Sequence, residues 1–137
     1  MDRIIEIDGR PVKFRATART PRLYRAIIGW DMISDMNKLQ KSFKKVQEDQ
    51  DESLDVFDLQ IFEDTSYIMA RHANPDMPEK SADEWLDQFD MFSIYEVLPQ
   101  IFELWSLNTK QTSTPKKKEL REIVSRMVRF LFCGARS

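Results

Sequence analysis

Seven apolar residues, Tyr24, Ile28, Met32, Met36, Leu39, Phe43 and Val46, recur at intervals of three or four. That spacing stacks side chains along one side of an α-helix, whereas a strand would send alternate members of the series to opposite faces. A chain built around this stripe is therefore helical there, over about six turns. Thr20-Pro21 supplies the start, with Thr20 as N-cap and Pro21 at the first helical position, where its missing N–H costs little. Gly29 weakens the helix locally, and the acidic run Glu48-Asp49-Gln50-Asp51-Glu52 ends it as a solvated connection.

Further helices follow by the same reasoning. From about Leu54 to Ala73, Phe57, Ile61, Ile68 and Met69 share a face that Leu59 and Phe62 widen, and Asn74-Pro75 ends it. Ser81-Ala82-Asp83-Glu84 has the spacing of a capping box and opens a short helix carrying Trp85, Leu86 and Phe89. Ser93-Ile94-Tyr95-Glu96 opens another, with Val97, Leu98, Ile101, Phe102 and Trp105, which Pro99 should kink or divide. The polar stretch Asn108 to Pro115 reads as a linker, after which Lys116 to Phe132 forms a basic amphipathic helix. The domain reading is thus residues 1–108 as the folded unit and 109–137 as linker and C-terminal helix.

Ahead of these helices, Ile4 to Ala16 alternates apolar and polar residues on both sides of Asp8-Gly9 and reads as a β-hairpin. A four-residue loop, Asp8 to Pro11, pairs Ile7 with Val12 and Ile5 with Phe14, and is the register preferred; a two-residue Asp8-Gly9 loop would set Ile7 opposite Arg10. An isolated hairpin is marginal in water, so its apolar face must lie on the helices or on a partner's sheet. The expected fold is mainly α within the α+β class: an N-terminal hairpin packed on a bundle of about five helices.

The chain of 137 residues is 42% hydrophobic and carries nine Phe, three Trp and three Tyr, which suffices for one core. Its chemistry is sparse. His72 is the only histidine, set at a predicted helix end where a solvated or dipole-stabilised imidazole is expected. Cys133 is the only cysteine, and the glycines Gly9, Gly29 and Gly134 are too scattered for a phosphate loop. Asp31 with Asp35, and Asp83 with Asp87, stand one turn apart but read as charged helix faces rather than cation sites. The expectation is a protein without catalytic residues, cofactor or metal. The single cysteine and the absence of a long apolar run at the first residues point to a reducing cytoplasm. No membrane span is expected.

Charge is segregated although the net value is only −2. Residues 1–47 hold eleven Lys/Arg against five Asp/Glu, residues 48–104 two against sixteen, and residues 105–137 eight against two. Such a layout serves intramolecular attraction or self-association. Basic ends also raise nucleic-acid binding, but Lys116, Lys117 and Lys118 open a helix at the wrong end for its dipole, which favours an acidic protein surface over DNA. Aromatic residues are dense between Trp85 and Trp105. Trp30, Tyr95 and Trp105 are the candidate anchors for a protein partner, each equally readable as ordinary core, with Lys116, Lys117 and Lys118 as basic contacts.

The hairpin with Ile7-Asp8-Gly9 and Lys13-Phe14, then Ala16-Thr17-Ala18, Tyr24-Arg25 and Gly29-Trp30-Asp31, resembles the tail assembly chaperones of phages and prophages of Gram-positive hosts. Glu84-Trp85-Leu86-Asp87-Gln88-Phe89, the run Ile94 to Trp105 and Pro115-Lys116-Lys117 extend the resemblance over nearly the whole chain. It implies a factor of the infected cell's cytoplasm that binds the tape-measure protein, keeps it soluble, promotes polymerisation of tail-tube subunits around it, and is absent from the mature virion. It also implies self-association, and in families of this kind a longer frameshifted product. A small DNA-binding regulator and a structural tail-completion or connector protein are the competing readings.

Overall fold

The computed structural model describes residues 1–49 and 51–113. Two strands and five helices follow one another: β1 (Asp2–Ile7), β2 (Arg10–Arg15), α1 (Thr20–Ile27), α2 (Met32–Glu48), α3 (Val56–Ala73), α4 (Ala82–Leu86) and α5 (Ile94–Ser113). The architecture is the expected hairpin on a helical assembly. β2 packs along α3, and β1 lies against α5.

The hairpin register is the two-residue alternative. β1 and β2 pair antiparallel with Ile7 opposite Arg10, Ile5 opposite Val12 and Arg3 opposite Phe14. Asp8 and Gly9 both have positive φ, 54° and 75°, which is the I′ geometry whose twist matches that of the strands it joins. Turn chemistry therefore outweighs the symmetric apolar pairing on which the longer loop rested. Ile5, Ile7 and Phe14 still reach the core. The misfit of Arg10 opposite Ile7 is resolved in tertiary structure, because its guanidinium lies 4.8 Å from the centre of the Phe89 ring and donates to the Gln88 carbonyl. Arg3 extends likewise to Glu103 of α5. Since only glycine holds a φ near 75° without strain, Gly9→Ala should lower stability by about 1 kcal/mol, read as a drop in urea midpoint with unchanged slope.

The long stripe is divided between two helices. Ile28 caps α1, Gly29 follows at φ 94°, and the Asp31 carboxylate then caps α2, accepting from the N–H groups of Ile33 and Ser34. A left-handed glycine and an Asp N-cap within three residues form a stop and a restart. The stripe nonetheless survives as burial, because Tyr24, Met32, Met36, Leu39 and Phe43 all face the core across the break. At the start of α1 the N-cap is Arg19 rather than Thr20. The Thr20 hydroxyl is buried and accepts from the Thr17 N–H at 2.8 Å.

α3 opens on a reciprocal box of two aspartates: Asp55 accepts from the Asp58 N–H at 2.7 Å, and Asp58 accepts from the Asp55 N–H at 3.0 Å. Its C-terminus is held by Asn74, whose amide donates to Ala70 and across to the Lys13 carbonyl of β2. α2 and α3 run antiparallel, with Lys38 beside Asp58 and Met36 beside Thr65. Ser81 caps α4 as expected, accepting from the Glu84 N–H, while the Glu84 carboxylate turns to the Lys80 N–H instead of closing the box on Ser81.

Pro99 does not divide α5, which is continuous from Ile94 to Ser113. Proline deprives the Tyr95 carbonyl of its helical partner, but Pro99 and Tyr95 are on the exposed side, where water can serve that carbonyl. Residues 108–113, read from composition as linker, continue the helix. The remainder of the linker and the basic helix of 116–132 lie outside the described residues.

Candidate functional site

A cleft of about 270 Å³ lies between α2 and α3 and is lined by Tyr24, Trp30, Asp35, Lys38, Phe57, Gln60, Ile61 and Asp64. Its position follows from the break in the stripe. Gly29 releases the chain from α1, so Trp30 falls in the connection to α2 and stays 66% exposed instead of turning into the core. Across from it, Phe57 stands in the first turn of α3 and is 67% exposed, although its spacing places it in one apolar series with buried Ile61 and Ile68. Val56 and Ile33, on the same two helix starts, are exposed as well.

The polar half of the cleft is acidic. The Tyr24 hydroxyl donates to Asp35 at 2.8 Å, and burial together with this carboxylate holds the phenol well above its ordinary pKa. Lys38 is already engaged, 2.6 Å from Asp58 and 3.5 Å from Asp55. Asp64 is half-buried and, among the described residues, has no hydrogen bond or ion pair. Burial, with Glu63, Asp35 and Asp83 nearby, pushes its carboxyl up to about 6.

A group whose pKa is raised by folding favours the folded state when protonated. Asp64 therefore opposes folding increasingly as pH rises from its unfolded value of 3.8 toward about 6, and fully above that. After discounting for its partial exposure, Asp64→Asn should stabilise the protein by about 1 kcal/mol at pH 7 and leave it unchanged at pH 3. Denaturant melts of both proteins at a series of pH values test this; parallel profiles would refute it.

The other sequence candidates are dispersed. Tyr95 is 62% exposed and packs beside Phe43, ring centres 6.4 Å apart, about three turns along α2 from the Trp30 end. Trp105 is 8% exposed and belongs to the core, the alternative that the sequence left open beside a surface anchor. Lys116, Lys117 and Lys118 lie outside the described residues. Sequence reasoning thus finds one wall of the cleft, Trp30, and misses Phe57, Asp35 and Asp64 as members of the same site. The signal present for Phe57 was an aromatic in a helix's first turn, right after the acidic connection, where the apolar series begins before the helix has neighbours to cover it.

A larger cleft of about 580 Å³ lies beside the hairpin, between Pro11, Lys13, Asn74, Met77, Trp85 and Phe89. Its polar groups are largely spent on one another. Asn74 donates to the Lys13 carbonyl, Tyr67 and Arg71 donate to the Glu79 carbonyl, and Gln88 donates to the Trp85 carbonyl. It is a seam of the fold. His72 is also structural: half-buried, 2.8 Å from the Thr17 hydroxyl, with its pKa lowered by burial and then by Arg15 and Arg19. The helix end does not hold it charged.

Asp31 is occupied as a helix cap and Asp35 as an acceptor for Tyr24. Among the described residues no group of three or more His, Cys, Asp or Glu side chains is placed to hold a metal ion, and no helix is long and apolar enough to cross a membrane. No protein-family model matches the chain, and neither does any curated protein or solved structure.

Proposed function

We propose that the chain is a tail assembly chaperone of the kind made by phages and prophages of Gram-positive hosts: a binding protein that holds the tape-measure protein soluble and promotes polymerisation of tail-tube subunits around it. The observation that carries this reading is the cleft between α2 and α3, where Trp30 and Phe57 stand exposed on a small helical fold. Holding a long helical client calls for such an apolar groove and no reacting group. Large exposed aromatics on otherwise charged helices are a liability unless a partner covers them. The sequence resemblance, spread over nearly the whole chain, supplies the identity of the client.

Co-expression tests it. A tape-measure protein from a phage of this kind should move largely from the pellet to the supernatant when the chain is present. The double variant Trp30→Ala/Phe57→Ala, altered only at exposed positions, should fold normally and lose that effect several-fold. A tape-measure protein equally soluble with and without the chain would overturn the proposal.

A further inference from the structure

The α2–α3 cleft is more than an apolar groove, because it carries charge without a counter-ion among the described residues. Among the described residues, Asp64 is half-buried and unpaired, Asp35 has only the neutral Tyr24 hydroxyl, and the one cation lining the cleft, Lys38, is taken by Asp58 and Asp55. Glu63 and Asp83 add further negative charge around Asp64. Two exposed aromatic rings, Trp30 and Phe57, line the same cleft. Aromatic faces and a partly desolvated carboxylate share one preferred guest, an organic cation with an apolar stem. A volume of about 270 Å³ suits one or two side chains rather than a drug-sized ligand.

We propose that this cleft receives an arginine or lysine presented by an amphipathic helix of the client, its aliphatic stem between Trp30 and Phe57 and its cationic head on Asp64 and Asp35. This deepens the chaperone reading and rests on it. A cation in the cleft would compensate a charge that the described residues leave uncompensated, so recognition selects clients by where they carry a basic residue within an apolar face. Lys38 sets the limit of the site: held by Asp58 and Asp55, it lies along the same wall and favours seating the guest's charge toward Asp64.

The test uses the full chain and two synthetic helical peptides with the same leucine face, one bearing arginine at its centre and the other citrulline, which has the same shape without the charge. The arginine peptide should bind about tenfold more tightly. Asp64→Asn should abolish the preference while circular dichroism stays unchanged, and Trp30→Ala/Phe57→Ala should weaken both peptides. The preference should also shrink between pH 7 and pH 5 as Asp64, titrating at about 6, takes up its proton.

Equal affinity for the two peptides, or a preference that survives Asp64→Asn, overturns the proposal. So does tighter arginine-peptide binding on reversing Lys116, Lys117 and Lys118 to glutamate, since the chain's own basic segment would then be the occupant. Loss of self-association in Trp30→Ala/Phe57→Ala by sedimentation also counts against it, as it would name a second copy. If the peptides are not distinguished but the chain still solubilises the tape-measure protein, the chaperone reading stands and only the cation seat fails.

Discussion

Trp85→Ala should destabilise the protein by about 3–5 kcal/mol, enough to unfold much of a marginally stable domain at 37 °C. Trp85 is the largest fully buried side chain and joins elements that are far apart in sequence. Its ring lies 6.2 Å from Phe14 of the hairpin, 6.1 Å from Tyr67 of α3, and 5.2 and 5.6 Å from Phe89 and Phe92. Three of these contacts are edge-on, the arrangement in which aromatic pairs add to simple burial. α4 has only five residues and cannot be stable by itself, so removing the indole removes what anchors it. Loss of near-ultraviolet circular dichroism and a large fall in urea midpoint are the expected readings. A change below about 1 kcal/mol would mean that the cluster is not the keystone described.

The largest gain should come from Pro99→Ala, at about 1–2 kcal/mol. Proline in a helix interior costs about 3 kcal/mol, from a lost hydrogen bond and a crowded carbonyl one turn earlier. Part of that is offset because proline also restricts the unfolded chain. Pro99 is exposed and occupies the sixth position of a continuous helix, so alanine would restore the bond to the Tyr95 carbonyl without disturbing core contacts. Thermal denaturation should show a raised Tm with unaltered ellipticity in the native state. A lowered Tm would mean that the proline-specific shape of α5 is required by its neighbours.

Much of this architecture is legible in the sequence because helical period and capping chemistry are local. The Ser81 cap, the Asn74-Pro75 stop and the apolar face of α5 all follow from spacing alone. The misreadings arise where two local rules compete. At residues 28–31 an unbroken apolar stripe opposed a left-handed glycine and an aspartate cap, and the cap prevailed, dividing one helix into two. At the hairpin, apolar pairing opposed Asp8-Gly9 turn geometry, and the turn prevailed because Arg10 found Phe89 and Gln88 outside the sheet. That compensation depends on the segment that follows α4 and is invisible in any window around residue 10.

The cleft was harder to see for a related reason. Trp30 was recognisable as a large aromatic near a break, but Asp64 sits on what reads as a polar face and becomes half-buried only when α2 packs on α3. Burial of a charge is a property of two elements together, whereas periodicity describes one. Trp105 illustrates the reverse: its aromatic neighbours left it readable as anchor or core, and packing places it in the core, 8% exposed.

The contact between β1 and α5 also constrains how the protein is made. Arg3 meets Glu103, one hundred residues later in the chain. At ordinary elongation rates about 5–20 s separate their appearance from the ribosome. For that interval the hairpin has no α5 to lie on, and although α3 is made earlier and can meet β2, the contact of β1 with α5 waits until the last described helix has been synthesised. Closure of the fold is therefore a late event in biosynthesis, gated by translation rather than by the speed of helix formation.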